Sequence, residues 1–439
     1  MKSVKTIISI SAVALHLLVV GTILRQPLDV QKQTDVPMFL SSRLYHDSTR
    51  MVGPGVDFFC VYHAGVNARS GVSIYRRPEV RGAVTPYYFE FRYLPIVADT
   101  LGWAATRFPP LTAYRCWVIA VDALCWVLIV IVFRRLRTTG PGFLAWLAIV
   151  LSTPFALELH MGQFTFAATA MLALSLWLWE RSPSRGRRTL NRVASGALMA
   201  ASVVLKLFPA VTLVAWVRRR SSRNWLVAVV GGVALLTIPL FLADPVAWYD
   251  FRDVNAVEMP NPGNFGFMAA LFLTLERLGV AWTRDAWSAV IAAGLLFWVG
   301  IATVVVLLAR RQALYAEAAV LLLAEFLASY QVWEHHASGV IVAGGLLVVA
   351  MERHRIGSID TRPADARFSR ACAWLAAACL VLLALPTPYA LFDANPKLWT
   401  FGQRALVQWT KPLPTLGLFA AGFVWLAREG LGWPSWTDS

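Results

Sequence analysis

The sequence predicts an all-α protein that crosses a membrane many times. Of its 439 residues, 58% are hydrophobic and only 15% are charged, and the mean hydropathy is +0.58. Such a composition leaves too little polar surface to cover a soluble domain. Apolar stretches of about 20 residues, the length that spans a bilayer, recur from residue 4 to residue 428 without a large polar block between them. We therefore expect one integral membrane domain over residues 1–439.

The basic residues predict the topology. A net charge of +15 would suggest a nucleic-acid partner in a soluble protein, but most arginines lie in short clusters between apolar stretches. The positive-inside rule places such clusters in the cytoplasm, so no nucleic acid is expected. The first stretch is interpreted as a retained anchor, because no small-x-small cleavage site follows Val20. The predicted spans are 4–24, 112–133, 142–157, 163–180, 223–242, 285–309, 313–329, 337–351, 370–388 and 412–428.

The stretch 193–217 does not fit a simple span. Arginines flank it on both sides, yet it is too short to cross about 30 Å of hydrocarbon twice at about 1.5 Å per residue. A helix broken between Lys206 and Pro209 resolves this, because proline interrupts a helix and an intramembrane lysine needs a cavity or a partner. We expect two short helices that meet near the outer leaflet. A single tilted span is the alternative.

Residues 25–111 form a long loop after the first span. The loop is rich in arginine, but long loops are largely exempt from the orientation rule, so we place it outside. The apolar part from Phe91 to Phe108 is short and bounded by prolines, which predicts helices lying in or dipping into the interface. The chain thus divides into an extracytoplasmic loop (25–111), a core helical bundle (112–351) and C-terminal helices (352–439).

Asp57 is the best candidate for a catalytic base in this loop. The surrounding sequence is Gly55-Val56-Asp57-Phe58-Phe59-Cys60-Val61-Tyr62-His63. A carboxylate that is partly desolvated by aromatic rings has a raised proton affinity, which suits a general base near neutral pH. A solvated loop aspartate is the alternative, since the loop offers other acids at Asp29, Asp35, Asp47, Glu79 and Glu90.

Several other polar residues fall on the predicted outer side. Lys206 lies in an apolar run, where a lipid phosphate is a natural partner and a snorkelling lysine is the alternative. The sequence Trp333-Glu334-His335-His336 joins two spans, and belt residues are its plainer interpretation. The turn from Glu158 through His160 to Gln163 precedes a helix whose free N–H groups can bind hydroxyl or phosphate oxygens, or be capped. Asn264 lies in a similar turn.

Neither a metal site nor a cofactor is expected. The five cysteines include no Cys-x-x-Cys pair, and no His-Glu-x-x-His pattern occurs in the sequence. His335 and His336 are adjacent, so on a helix their side chains point about 100° apart and cannot chelate one metal together. A hydrogen-bonding or acid-base role for one of them is the better interpretation.

Taken together, these motifs resemble the C-type membrane glycosyltransferases, and most closely glycosyltransferase family 87, whose members include polyprenyl-phosphate-mannose-dependent mannosyltransferases. The resemblance covers most of residues 50–350. Its motifs are Asp57 with Tyr62, Ala64 and Gly71 to Tyr75, then Tyr93 and Pro95, then Gly162-Gln163, then Gly196 with Lys206 and Pro209, and finally Trp333 with His335-His336. Each motif alone is weak, but their order and their common side of the membrane make the resemblance specific.

The resemblance implies a bundle of about 10–13 transmembrane helices in the plasma (inner) membrane, with a cavity open to the outer leaflet. It implies inverting transfer of a hexose, mannose-like, or of a pentose from a polyprenyl-phosphate donor to a lipid or glycan acceptor. Asp57 takes the position of the catalytic carboxylate that deprotonates the acceptor hydroxyl. No cofactor is implied, and the oligomeric state is left open.

The expected roles follow from that reaction. Lys206 and Arg92 are expected to neutralise the donor phosphate as it leaves. His336 or His335 is expected to orient the acceptor, or to act as the base if Asp57 positions it instead. The expected substrate-binding residues are Tyr62, Tyr93, His160, Gln163, Asn264, Trp333 and Glu334.

Two other classes of protein would share some of these features. A secondary transporter or a flippase for lipid-linked glycans also has many spans, a broken helix and an intramembrane lysine. Transporters built from inverted repeats, however, show matching breaks in both halves, and only one lysine-proline break occurs here. A non-catalytic scaffold is the third possibility, and it predicts that Asp57 is dispensable.

Overall fold

The computed structural model describes residues 2–28, 54–77, 88–181, 185–261, 263–309, 313–357, 363–393 and 398–431. Within these ranges the chain is mostly helical and contains no strand. The first half contains α1 (Lys2–Arg25), α2 (Val56–Arg69), α3 (Pro110–Ile131), α4 (Gly140–Val150), α5 (Thr153–Met161), α6 (Thr165–Glu180), α7 (Arg185–Leu205) and α8 (Arg223–Ala243). The second half contains α9 (Pro245–Val254), α10 (Phe267–Arg277), α11 (Arg284–Leu308), α12 (Leu314–Ala328), α13 (Ala337–Gly357), α14 (Pro363–Ala384), α15 (Phe401–Trp409) and α16 (Pro412–Leu431). The predicted all-α class is confirmed. Asp29, Asp35, Asp47 and Glu79 lie outside the described residues.

Seven stretches within the described residues are long and apolar enough to cross a membrane. They are Val4–Arg25, Pro110–Ile131, Gly140–Met161, Arg223–Ala243, Arg284–Leu308, Glu334–His354 and Ala366–Ala384. Only 11% and 17% of the most apolar windows of α8 and α11 are buried in the protein, although these two windows have the highest mean hydropathy. Apolar faces of this size are stable in lipid but not in water. The protein is therefore a multi-pass membrane protein.

Four of the predicted spans differ from the structure in their limits or in the number of helices. The stretches predicted at 163–180 and 313–329 are the helices α6, of 16 residues, and α12, of 15 residues. The span predicted at 142–157 consists of two helices, α4 and α5, because the Ser152 hydroxyl caps α5 by accepting a hydrogen bond of 3.0 Å from the Phe155 N–H. The span predicted at 370–388 ends at Ala384, shortly before two prolines.

The stretch 193–217 is a broken helix that folds back on itself. Helix α7 ends at Leu205, and a 3₁₀ turn (Phe208–Leu213) and one short helix (Val214–Val217) follow. Both ends of the stretch meet at Trp225, whose indole N–H donates to the Arg192 carbonyl at 3.1 Å and whose ring stacks on Trp216. Since the two ends lie together, Lys206 lies at the apex of a hairpin. The expected break is confirmed, and the single tilted span is excluded.

The apolar part of the first loop forms short helical turns, as expected. The three turns are Pro95–Val97, Ala98–Gly102 and Trp103–Ala105. They cross α2 at a point where both segments carry a glycine. A Cβ atom on Gly65 would lie only 2.3 Å from the Gly102 carbonyl carbon, so the two backbones touch. This contact fixes the loop against the helix that carries Asp57, while its depth in the membrane stays a prediction.

Candidate active site

Asp57 lies in the first turn of α2, at a point where the chain is held tightly. Gly55 precedes the helix with φ of 76°, a left-handed conformation that favours glycine. The Gly55 N–H donates to the His160 carbonyl at 2.7 Å, and this carbonyl also accepts from the Tyr114 hydroxyl at 2.9 Å. The start of α2 is thereby fixed to the end of α5.

The Gly162-Gln163 motif brings the next helix to the same place. Gly162 ends α5 with φ of 68°, and a Cβ atom there would lie 2.6 Å from Cβ of Phe58. Only glycine allows this left-handed turn and this close approach together. Gln163, the next residue, therefore reaches the neighbourhood of Asp57.

The Asp57 carboxylate is buried and incompletely bonded. Its side chain is 5% exposed, and its Oδ2 atom has no hydrogen-bond partner among the described residues. Burial raises the pKa of Asp57 to about 7, while the charges of Lys206 and Arg92 and the Gln163 amide oppose this rise. A carboxyl group with this pKa exchanges its proton readily near neutral pH, which a general base requires.

Gln163 connects this carboxylate to a tyrosine and a histidine. Its Oε1 atom accepts from the Tyr93 hydroxyl at 2.9 Å and from the Phe164 N–H at 2.8 Å, which fixes the orientation of the amide. The Nε2 atom of Gln163 lies 3.3 Å from Nε2 of His335. Because an amide nitrogen only donates, His335 must accept there and hold its proton on Nδ1. Asp57, Gln163, Tyr93 and His335 therefore form one cluster.

Lys206 brings a positive charge to the same cluster. Its ammonium nitrogen lies 5.6 Å from the centre of the Tyr93 ring. The buried carboxyls of Glu158, Asp57 and Glu325 are close enough to interact with it electrostatically. Within the described part of the chain, no carboxylate oxygen lies within 4.0 Å of the Lys206 ammonium nitrogen, which is the limit for an ion pair. The lysine charge is thus shared among several acids and committed to none.

Glu158 differs from Asp57 because its oxygens are occupied. One oxygen accepts from the Phe166 N–H at 2.7 Å and the other from the Ser338 hydroxyl at 2.9 Å. These two bonds tie α5 to the start of α6 and to α13. Glu158 therefore holds the helices together behind the cluster, and Asp57 keeps the open carboxylate oxygen.

Arg92 lies at the edge of this cluster and is already paired. Its guanidinium donates to Glu258 at 2.6 Å and to the Gln331 side chain at 2.9 Å. Gln331 donates in turn to the second oxygen of Glu258 at 3.0 Å. The structure brings Arg92 close enough to influence Asp57, but most of its donors hold two loops together. Lys206 is the cation with the freer charge.

His336 and Trp333 cap the helix that follows. The Trp333 N–H donates to Nδ1 of His336 at 3.2 Å, which leaves the proton of the neutral ring on Nε2. That Nε2 atom is buried and has no partner among the described residues. The His336 ring packs edge-on against the His335 ring with centroids 4.4 Å apart. His336 is therefore a second open polar group next to the cluster.

The structure places four of the expected site residues in supporting contacts. Glu334 pairs with Lys411 at 3.3 Å, and the Asn264 side chain accepts from the Val332 N–H at 3.1 Å. The Nδ1 atom of His160 lies 2.9 Å from the Gln26 side-chain oxygen at the end of α1. The Tyr62 hydroxyl donates to the Phe108 carbonyl at 3.2 Å. Each contact holds a loop or helix end in place.

The sequence interpretation missed several residues of this region. Trp117 and Phe164 pack with ring centroids 4.7 Å apart and line the cluster together with Phe58. Glu325 lies near Lys206, and its only signal in the sequence is an acid inside an apolar run. Lys411 pairs with Glu334 from a distant helix. In the described residues no group of three or more His, Cys, Asp or Glu side chains could hold a metal ion.

Comparison with known families identifies the chain. The model of glycosyltransferase family 87 matches residues 94–333, which is more than half of the sequence. The chain belongs to glycosyltransferase family 87. It is therefore a membrane glycosyltransferase. The matched region begins at Leu94, next to Tyr93, and includes Gln163 and Lys206. Asp57 and His335 lie outside it.

The chain is also similar to two solved structures of ArnT from Cupriavidus metallidurans. Against the apo state the identity is 14%, with 87% of this chain and 73% of that chain covered and a TM-score of 0.40. Against the state bound to undecaprenyl phosphate the identity is 16%, with 96% and 77% covered and a TM-score of 0.42. None of the curated proteins matches this chain.

Proposed function

We propose that this family 87 glycosyltransferase transfers a hexose or pentose from a polyprenyl-phosphate donor to an outer-leaflet lipid or glycan, with Asp57 as the general base. The observation that supports this most is the pairing of two uncommitted groups in one cluster. Asp57 has a carboxylate oxygen without a partner, and Lys206 has a charge without an ion pair, among the described residues. Buried groups of this kind are costly unless a ligand completes them.

The reaction assigns one task to each group. Asp57 takes the proton of the acceptor hydroxyl while the acceptor oxygen forms a bond to the anomeric carbon. The bond from that carbon to the donor phosphate oxygen breaks on the opposite face, so the configuration inverts. The polyprenyl phosphate leaves as an anion, and Lys206 stabilises the charge that develops on it. Arg92, if released from Glu258, is the second candidate for this phosphate.

The two histidines fit the acceptor side of this scheme. His335 accepts a hydrogen bond from Gln163 and is therefore neutral in this arrangement. The open Nε2 atom of His336 is a donor that a sugar or lipid hydroxyl could accept from. We assign His336 the task of orienting the acceptor and Gln163 the task of orienting Asp57.

The outer side of the membrane is proposed from the arrangement of charges. The hairpin apex with Lys206 lies at one end of the bundle, while Arg192 and its cluster lie where the two ends of the hairpin meet. The positive-inside rule places the arginine-rich end in the cytoplasm. Asp57 and Lys206 then face the outer leaflet of the plasma membrane.

The decisive experiment is the substitution Asp57→Asn in the purified, reconstituted protein, assayed with a panel of polyprenyl-phosphate sugars. We expect turnover to fall by about 10²- to 10⁴-fold, the usual contribution of a general base, with donor binding retained. Asp99→Asn is the matched control, because Asp99 is an exposed residue of the loop segment packed on α2. Undiminished turnover in Asp57→Asn would remove this carboxylate from the mechanism.

A flippase or transporter makes a different prediction for the same protein. Its activity would move lipid-linked sugar across the bilayer without forming a new glycosidic bond. Product analysis of the wild-type vesicles separates the two functions directly, since only a transferase releases free polyprenyl phosphate.

A further inference from the structure

A second cavity lies at the opposite end of the helices that carry the Asp57 cluster. Its volume is about 380 Å³, within the usual range for small-molecule sites. Helix α6 begins at Thr165 beside Gln163 and ends at Glu180, which lines this cavity. Along that helix the two sites are about 22 Å apart, at about 1.5 Å per residue. The cavity is therefore separate from the proposed active site.

Basic residues outnumber acidic residues in the lining of the cavity. Its lining includes three arginines and two glutamates, namely Arg134, Arg181, Arg353, Glu180 and Glu352. Arg353 is held by Glu180 at 2.5 Å and lies 4.5 Å from the centre of the Tyr315 ring. The charge of Glu180 is thus already used within the protein. Arg134 and Arg181 make no ion pair with any described residue.

Aromatic rings hold two of the arginines at the wall of the cavity. The Arg181 guanidinium is held 4.7 Å from the centre of the Trp177 ring, which fixes it at the cavity wall. The Tyr315 ring supports the Arg353 guanidinium in the same way, and the buried Tyr315 hydroxyl lies beside the Arg353–Glu180 pair.

Apart from Thr139, the rest of the lining is apolar or aromatic. Ile131, Val132, Leu136 and Val349 come from the ends of membrane helices and from the turn after α3. Arginines that only set the topology of a membrane protein need no cavity, no aromatic support and no apolar wall. Basic pockets between transmembrane helices are known sites for phosphate-bearing lipid head groups.

We propose that this cavity, between the ends of α3, α6, α12 and α13, binds the phosphate head group of an anionic phospholipid. Arg134 and Arg181 contact the phosphate, Arg353 and Tyr315 form the back of the site, and the apolar wall contacts the first part of an acyl chain. The site is independent of the donor site at Lys206 and of the sugar transfer reaction.

The test is a titration of the purified full-length protein with phosphatidylglycerol, followed by native mass spectrometry. We expect one tight site in the wild type and about 30-fold weaker binding in the double variant Arg134→Gln with Arg181→Gln, at roughly fivefold for each arginine. Replacing both arginines by lysine keeps the charges and is expected to restore most of the affinity.

The matched control is the double variant Arg107→Gln with Arg252→Gln. It removes two positive charges, as the Arg134 and Arg181 variant does. One of its arginines also stacks on a tryptophan, since Arg107 lies 4.2 Å from the Trp103 ring centre. Equal affinities in the two glutamine variants would overturn the proposal. Inorganic phosphate that competes as well as the lipid would overturn the lipid assignment, and phosphatidylcholine that binds as tightly would show that the charge plays no part.

Discussion

Two buried carboxylates near the same end of the bundle, Asp57 and Glu334, differ in whether a lysine is paired with them. Glu334 lies 3.3 Å from the buried Lys411 ammonium and accepts hydrogen bonds from the Thr387 hydroxyl and N–H at 2.7 and 3.2 Å. All three contacts meet at its Oε1 atom, while its Oε2 atom is buried and has no hydrogen-bond partner among the described residues. Asp57 also has one buried oxygen, Oδ2, without a hydrogen-bond partner, but unlike Glu334 it has no ion pair among the described residues.

The lysines differ in the same way. Lys411 is 2% exposed, and besides Glu334 it donates to the carbonyls of Leu383 and Leu385 at the end of α14. Lys206 lies among three acids without pairing with one. The comparison shows that one buried acid and lysine are joined by a short contact at a helix junction, whereas Asp57 and Lys206 are kept apart and form no ion pair among the described residues.

The largest expected effect is on the stability of the protein, and it tests whether the two lysines differ as described. Lys411→Met leaves Glu334 buried without its cation and is expected to lower the free energy of unfolding by about 3–5 kcal/mol. Lys206→Met is the matched variant and is expected to cost less, because the acids around Lys206 can take up protons instead. Thermal unfolding of both variants in the same detergent measures this. Equal losses would show that Lys206 has a structural role after all.

A smaller effect is expected in binding. Lys206→Met is expected to weaken donor binding by about 10- to 100-fold, the usual value for a hydrogen bond to a charged group, and to leave acceptor binding unchanged. Titration of the reconstituted protein with a non-transferable polyprenyl-phosphate sugar measures the first quantity. Unchanged donor affinity would contradict the assignment of Lys206 to the phosphate.

The smallest effect is a change in pH dependence. Because the pKa of Asp57 is about 7, kcat/KM is expected to rise tenfold per pH unit below this value and to level off above it. Lys206 lowers that pKa, so Lys206→Met is expected to move the rise to higher pH. A kcat/KM that stays constant between about pH 5 and about pH 8 would contradict this prediction.

The same pKa also predicts a change in stability. Folding raises the pKa of Asp57 from 3.8 to about 7, so this group favours the folded state below pH 3.8 and loses that contribution as the pH rises through about 7. The Asp57→Asn variant cannot ionise. Above neutral pH it is therefore expected to unfold at a higher temperature than the wild type, as thermal scans at acidic and basic pH would show.

Much of the site could be predicted from the sequence because its residues interrupt regular patterns. Lys206 stands out since a lysine is rare in an apolar run, and Gly162 marks a turn that only glycine can form. The break at Lys206 is confirmed, whereas the interfacial position of the short helices in the first loop stays a prediction. The supporting contacts of Glu334, Asn264 and His160 could not be predicted, because their partners Lys411, Val332 and Gln26 come from distant parts of the chain or from other loops.

The sequence alone determined the class of the protein, most of its helices and the family to which it belongs. The class and the helices depend on composition, on the length of apolar stretches and on local turn residues. The family is given by the order of its motifs along the chain, and none of these needs knowledge of distant contacts. The tertiary structure decided which buried charges are paired and which are open. Burial and pairing depend on side chains brought together from separate helices, so only the folded chain distinguishes Asp57 from Glu334 and Lys206 from Lys411.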